Sequence, residues 1–262
     1  MQYQFFIFAW PGYFEAAARL EIALQQRGCH VTVVASGAPR DNQNWIHLSE
    51  DAYFGEQFLE CLSRFDGDVL VHIQADAGIP DFDIFLNRLK LGHSHPNIGI
   101  WAPDVDYTFY QTRLVRRDFA NLDQRNLDPR ILPVLNTDCT CWSLAVPVVQ
   151  ALRDLGITES HFGWGWDSVA AAISDDLGLL VIRDSSIKIR HPRGTNYNSQ
   201  LAEIEFQNLI SAVPQQIQET LKEHSATVQE RYSRSRQAFL DRVRRLFFKV
   251  KKSLRKQDNH LD

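Results

Sequence analysis

Three short segments hold side chains whose types and spacing suit polar chemistry. In DVLVHIQADAGIPDF, residues 68–82, an apolar run ends at Asp76. A carboxylate at the mouth of a buried strand can ligate a hard cation through oxygen, and Mg2+ or Mn2+ commonly joins such a group to substrate phosphates. The same residue could instead close an Asx turn before Gly78 and Pro80. Asp81 and Asp83 open the following helix and read as caps.

In HFGWGWDSVAA, residues 161–171, two glycines permit tight turns, Trp164 and Trp166 offer flat apolar faces to an acceptor sugar, and Asp167 stands at a helix start. A carboxylate there can take the proton of an attacking hydroxyl, a general-base contribution of about 10²–10⁴ in rate. It could equally be an N-cap, with the tryptophans in the core. In IKIRHPRGTNYN, residues 187–198, His191 follows a strand and Arg193 lies in the next loop. An imidazole can be a metal ligand and a guanidinium can grip a diphosphate with two hydrogen bonds, while a lone His before Pro is also a common turn residue.

These groups need elements to position them. QFFIFAW is a short apolar run stopped by Pro11-Gly12, EAAARLEIALQQRG has helical spacing with a Gly at its end, and HVTVVASG is a β-branched strand, giving one β-α-β unit. AYFGEQFLECLSRF predicts a second helix feeding the strand DVLVHI, followed by the helix DFDIFLNRLKLG and the strand NIGIWAP. Residues 104–133 read as loops or a small excursion. TDCTCWSLAVPVVQALRDLG reads as a strand entering a helix, HFGWGWDSVAAAISDDLG as a loop entering another, and LLVIRDSSIKIR as short strands. Strands apolar on both faces and alternating with helices predict an α/β fold with a mainly parallel sheet, whose ligands gather at the strands' C-terminal ends. That rule puts Trp10, Ser36 and Asp76 on one rim.

In this order the three segments resemble the GT-A-type glycosyltransferases, the nucleotide-diphospho-sugar transferase fold, in a family-2-like form running from Gln4 to about Asn198. In that family an opening β-α-β unit binds the nucleotide, here FFIFAWPGYF and HVTVVASG. A later strand ends in Asp-x-Asp, matched by Gln74-Ala75-Asp76 with Gln74 in place of the first acid, and Ser36 falls near the usual nucleotide-contacting acid. A GWGxD loop bearing the catalytic acid is matched by Gly163 to Asp167, and a late metal-ligating His by His191.

The resemblance implies a Rossmann-like mixed, mainly parallel sheet flanked by helices, with Asp167 as base. It places Trp10, Pro11, Ser36, Gln74, Asp76 and Arg193 on a nucleotide-sugar donor, and Trp164, Gly165 and Trp166 on a glycan or glycolipid acceptor. It also implies Mn2+ or Mg2+ on Asp76 and His191. A catalytically silent nucleotide-sugar binder or scaffold is the alternative that Gln74 leaves open.

The sequence has no Gly-x-Gly-x-x-Gly after its first strand, no P-loop and no Gly-x-Ser-x-Gly, which argues against dinucleotide, P-loop and α/β-hydrolase chemistry. Four scattered cysteines and an N-terminus without a basic leader suggest a reducing, cytoplasmic setting. The division expected is a glycosyltransferase domain over 1–212 and a helical basic tail over 213–262.

Within that tail, residues 231–256 hold eleven Lys and Arg against the single acid Asp241, whereas the whole chain has net charge −4. Phe239, Leu240, Val243, Leu246, Phe247, Val250 and Leu254 recur at helical spacing among the cations. Such a helix can lie on an anionic membrane, with apolar residues inserted and cations on phosphates. That predicts peripheral attachment to the membrane's inner face, and no nucleic-acid partner, because the apolar stripe has no use on a phosphate backbone.

Overall fold

Phe5, Phe6, Ile7 and Phe8 are all buried, so the first strand is apolar on both faces and must lie between two helical layers. The computed structural model describes residues 1–37, 44–106, 128–192 and 198–230. Its elements are β1 (Tyr3–Ala9), α1 (Phe14–Gln25), β2 (His30–Ser36), β3 (Ile46–Leu48), α2 (Phe54–Arg64), β4 (Val69–Gln74), α3 (Phe82–His93) and β5 (Ile98–Val105). There follow β6 (Ile131–Pro133), β7 (Cys141–Ala145), α4 (Val146–Asp154), α5 (Trp166–Asp176), β8 (Leu180–Ile189) and α6 (Ser199–Ala212).

The strands form one eight-stranded sheet in the order β3-β2-β1-β4-β7-β5-β8-β6. β1 is parallel to β2 and β4, β2 to β3, and β5 to β8, whereas β7 runs antiparallel between β4 and β5 and β6 runs antiparallel to β8. The expected mixed, mainly parallel sheet is therefore present, with helices on both faces. Phe6 and Phe8 pack with Phe58 of α2, Val148 and Leu152 of α4, and Trp166, Val169 and Ile173 of α5. Phe5 and Ile7 pack on the other side with Leu20 and Leu24 of α1 and Phe85 and Leu89 of α3.

Local chemistry fixes the element ends. Asp81 caps α3 by accepting from the Asp83 and Ile84 N–H groups, both at 2.9 Å, as its position predicts. Asn198 caps α6 through Gln200 N at 2.9 Å. Arg88 of α3 reaches Asp184 of β8 and Asp128, each at 2.6 Å, a buried ion pair that ties β8 down and would cost about 3–5 kcal/mol to break by removing one partner.

Three features depart from the expected elements: β3, only three residues long, β6 at the end of the stretch 104–133 expected to be irregular, of which 107–127 lie outside the described residues, and β8, one ten-residue strand where short strands were expected. Beyond α6, Val213 and Ile217 are buried against the core, residues 215–230 are helical, and His224 Nε2 lies 3.1 Å from Asp175, so this stretch packs on the same body. The basic segment 231–256 lies outside the described residues.

Candidate active site

β4 delivers Gln74, and the chain turns at once, with the Ala77 N–H donating to the Gln74 carbonyl at 2.9 Å. Gly78 and Arg190 then exchange two backbone hydrogen bonds of 2.7 and 3.0 Å, which lays the end of β8 beside the turn. His191 arrives there as a result. Its Nε2 lies 3.2 Å from Gln74 Oε1 and 3.4 Å from Asp76 Oδ2. Burial opposes a charge on this imidazole, but the Asp76 hydrogen bond and the negative fields of Asp76 and Asp138 outweigh it and raise its pKa.

The other oxygen, Asp76 Oδ1, is buried with no hydrogen-bond partner. The turn is closed by backbone, so the carboxylate is not consumed in an Asx turn. A buried carboxylate oxygen without a partner is costly, and beside an imidazole nitrogen it forms a donor pair suited to a cation. Mg2+-type ions are commonly held by one or two carboxylates and complete their shell with phosphate oxygens and water. Asp76 and His191 fit that pattern, with the neutral Gln74 amide next to them. Among the described residues no group of three or more His, Cys, Asp or Glu is placed to hold a metal.

Asp167 sits in the first turn of α5, whose N-cap is Gly165 at φ +98°. It is therefore not the cap itself. Its Oδ1 accepts from the Ser168 N–H at 2.7 Å. Burial, and then the nearby Asp138 carboxylate, push its pKa up to about 6 against the pull of the Ser168 bonds. A carboxylate tuned toward neutral pH is suited to accept and release a proton at working pH.

Asp138 was not singled out by the sequence. It lies just ahead of β7, where its Oδ1 accepts from Thr140 N at 2.6 Å, while Thr140 O accepts from Gln74 N at 2.9 Å. On its other side Asn136 Nδ2 donates to Ser168 Oγ at 3.1 Å. Residues 136–140 therefore bridge the mouth of β4 to the first turn of α5, and the acid between these anchors acts on both Asp167 and His191. Because β7 is antiparallel, its N-terminal end falls on the rim that parallel strands reach with their C-terminal ends.

Trp10 is half-buried at the end of β1, its ring 5.0 Å from that of Tyr13, and Pro11 is exposed beside it. Two expected ligand contacts need correction. Ser36 is buried and its Oγ accepts from Gln57 Nε2 of α2 at 3.1 Å, so its side chain faces the core and not the rim. Trp166 is fully buried against Phe58, and its indole N–H donates to Ser160 Oγ at 3.0 Å, leaving no ring face for a sugar. Gly165 leaves room for a neighbour: an added Cβ would stand 2.3 Å from the Phe206 ring. Trp164 is half-buried in the same loop. Arg193 lies outside the described residues.

No protein-family model and no curated protein sequence matches the chain. Solved structures do match its fold. A mannosyltransferase, PcManGT from Pyrobaculum calidifontis, determined with GDP-Man and Mn2+, aligns with 87% of this chain and 69% of its own at a TM-score of 0.56 and 14% identity. Glucosyl-3-phosphoglycerate synthase from Mycobacterium tuberculosis, with Mn2+, UDP-Glc and phosphoglyceric acid, covers 82% of this chain and 79% of its own at a TM-score of 0.51 and 13% identity. GalNAc-T7, with UDP, GalNAc and Mn2+, covers 74% of this chain and 44% of its own at a TM-score of 0.53 and 8% identity. The chain shares the fold of these structures, a Rossmann-like mixed α/β fold of GT-A architecture.

Proposed function

We propose that the protein is a glycosyltransferase that moves a sugar from a nucleotide-diphosphate donor to an acceptor hydroxyl on a growing surface glycan or glycolipid. The observation that carries this reading is the Asp76–His191 pair at the mouth of β4, with Asp167, whose pKa is raised, joined to that mouth through residues 136–140. The acceptor oxygen forms its bond to the anomeric carbon as the bond to the diphosphate oxygen breaks. The nucleoside diphosphate leaves with that electron pair, and the acceptor proton passes to Asp167. Trp10 and Pro11 line the nucleotide end, and Trp164 the acceptor end.

Asp76 and His191 would hold Mn2+ or Mg2+, with Gln74 beside them. Such an ion, when bound, offsets charge developing on the departing diphosphate. Because the imidazole must be neutral to ligate, and Asp76 and Asp138 favour its protonated form, cation affinity should strengthen as pH rises.

A thermal-shift panel of nucleotide sugars, with and without Mn2+, tests donor binding, since a specific ligand stabilises the folded state. Transfer is then assayed with the best donor. Asp167→Asn is expected to keep the donor-induced shift and lower transfer by about 10²–10⁴. Unchanged transfer in that variant would remove Asp167 from the mechanism, and no shift with any nucleotide sugar would remove the donor class.

A further inference from the structure

We infer that Glu205, on α6, is a positioning residue that sets the acceptor-side loop and through it Asp167. This rests on the glycosyltransferase reading above. The Glu205 carboxylate gathers three donors from one loop: Oε1 accepts from the Gly163 N–H at 2.8 Å and the Ser160 hydroxyl at 3.0 Å, and Oε2 from the Phe162 N–H at 2.8 Å. Ser160 Oγ in turn accepts from the Trp166 indole N–H at 3.0 Å. One acid on a distant helix thus reaches the residue immediately before Asp167.

The loop's other side is held by a backbone hydrogen bond and close packing. The Gly55 N–H of α2 donates to the His161 carbonyl at 2.8 Å. The approach is close enough that a Cβ on Gly55 would meet the Ser160 backbone at 2.4 Å, and one on Gly163 the Phe54 ring at 2.3 Å. Loop 160–165 is therefore clamped between the start of α2 and the Glu205–Phe206 step of α6. Hydrogen bonds to an ionised carboxylate are shorter and about twice as strong as neutral ones, so Glu205 is the stronger jaw.

Both Glu205 oxygens are engaged by the loop, and its role is exerted through the loop. Without it, the Phe162 and Gly163 N–H groups lose their acceptor, and the turn that leads into α5 gains freedom. A displacement of about 1 Å at a reacting group costs on the order of 10²-fold in rate. Donor binding, built from the ends of β1, β4 and β8, should hardly change.

The test compares wild type with Glu205→Ala and Glu205→Gln, and with Leu24→Ala, a core truncation in the opposite layer that serves as a stability control. All are assayed well below their Tm. Glu205→Ala is expected to lower kcat for transfer by about 10²-fold with donor affinity within about twofold. Its Phe162 and Gly163 amides should exchange with solvent faster. Glu205→Gln keeps one acceptor oxygen and should fall between, while Leu24→Ala should lose stability and keep kcat. A Glu205→Ala kcat within about threefold of wild type, or an equal loss in Leu24→Ala, overturns the proposal. If wild type itself transfers no sugar, the glycosyltransferase reading fails, and the exchange comparison still decides whether Glu205 holds the loop.

Discussion

Asp138 is the residue that tunes Asp167, and its effect has a definite sign. A neighbouring negative charge makes ionisation harder, so Asp138→Asn should lower the Asp167 pKa from about 6. The acid limb of the kcat/KM profile is then expected to move to lower pH, as read from transfer rates between pH 4.5 and 8. Stability follows from the same shift. Because the folded pKa of about 6 lies above the usual value near 3.9, the folded state holds the proton more tightly. That stabilisation is full below about pH 4 and is lost as pH rises through about 6. Asp167→Asn carries no charge at any pH, so its Tm should exceed that of wild type at pH 8 and the gap should close toward pH 5. Asp76, Asp167 and His191 were legible because each stands where an apolar run or a Gly-rich turn stops. Asp138 was not, because the buried run CWSLA reads the same whichever direction its strand runs, and only the antiparallel pairing puts its N-terminal end on the rim.

At the scale of elements, the loop before α5 shows how backbone shape and packing combine. Gly165 adopts φ +98° against the Phe206 ring, whereas Gly178 adopts φ +70° with nothing within 4 Å of an added Cβ. Replacing Gly178 by Ala should cost about 1 kcal/mol, the ordinary penalty for left-handed backbone. Gly165→Ala adds a steric clash and should cost about 2–4 kcal/mol. Denaturant unfolding of the two variants measures the difference, and equal costs would mean that the Phe206 contact yields freely. The burial of Trp166 was readable: with Val169, Ala170 and Ile173 it forms the i, i+3, i+4, i+7 stripe of a helix's buried face. The Gly-Trp-Gly-Trp pattern drew attention to sugar stacking instead. Glu205 had no such signal, since a glutamate within a helix ordinarily faces solvent and its partners lie more than 40 residues earlier.

Over the whole molecule, the opening β-α-β unit, the helices and the layered α/β architecture follow from patterns of apolar residues, because burial on both faces leaves an unmistakable run such as QFFIFA. The sheet order does not, since insertion of β7 between β4 and β5 depends on pairings that no local window contains. No described helix is long and apolar enough to cross a membrane. The membrane contact proposed for the chain therefore rests on the basic amphipathic pattern of residues 231–256. A chain ending at Glu230 is expected to lose salt-sensitive sedimentation with anionic vesicles while still transferring sugar to a soluble acceptor; undiminished sedimentation would assign the attachment elsewhere. The Gly78–Arg190 bridge has a consequence for biogenesis. Gln74 and His191 are 117 residues apart and meet only when β8 docks, so a nascent chain can build β1 to β4 and still lack the imidazole beside Asp76. Contacts of such separation form after the loop between them is closed. Donor-dependent protection from proteolysis should therefore appear only in chains released past His191, making competence for the sugar nucleotide a late event in synthesis.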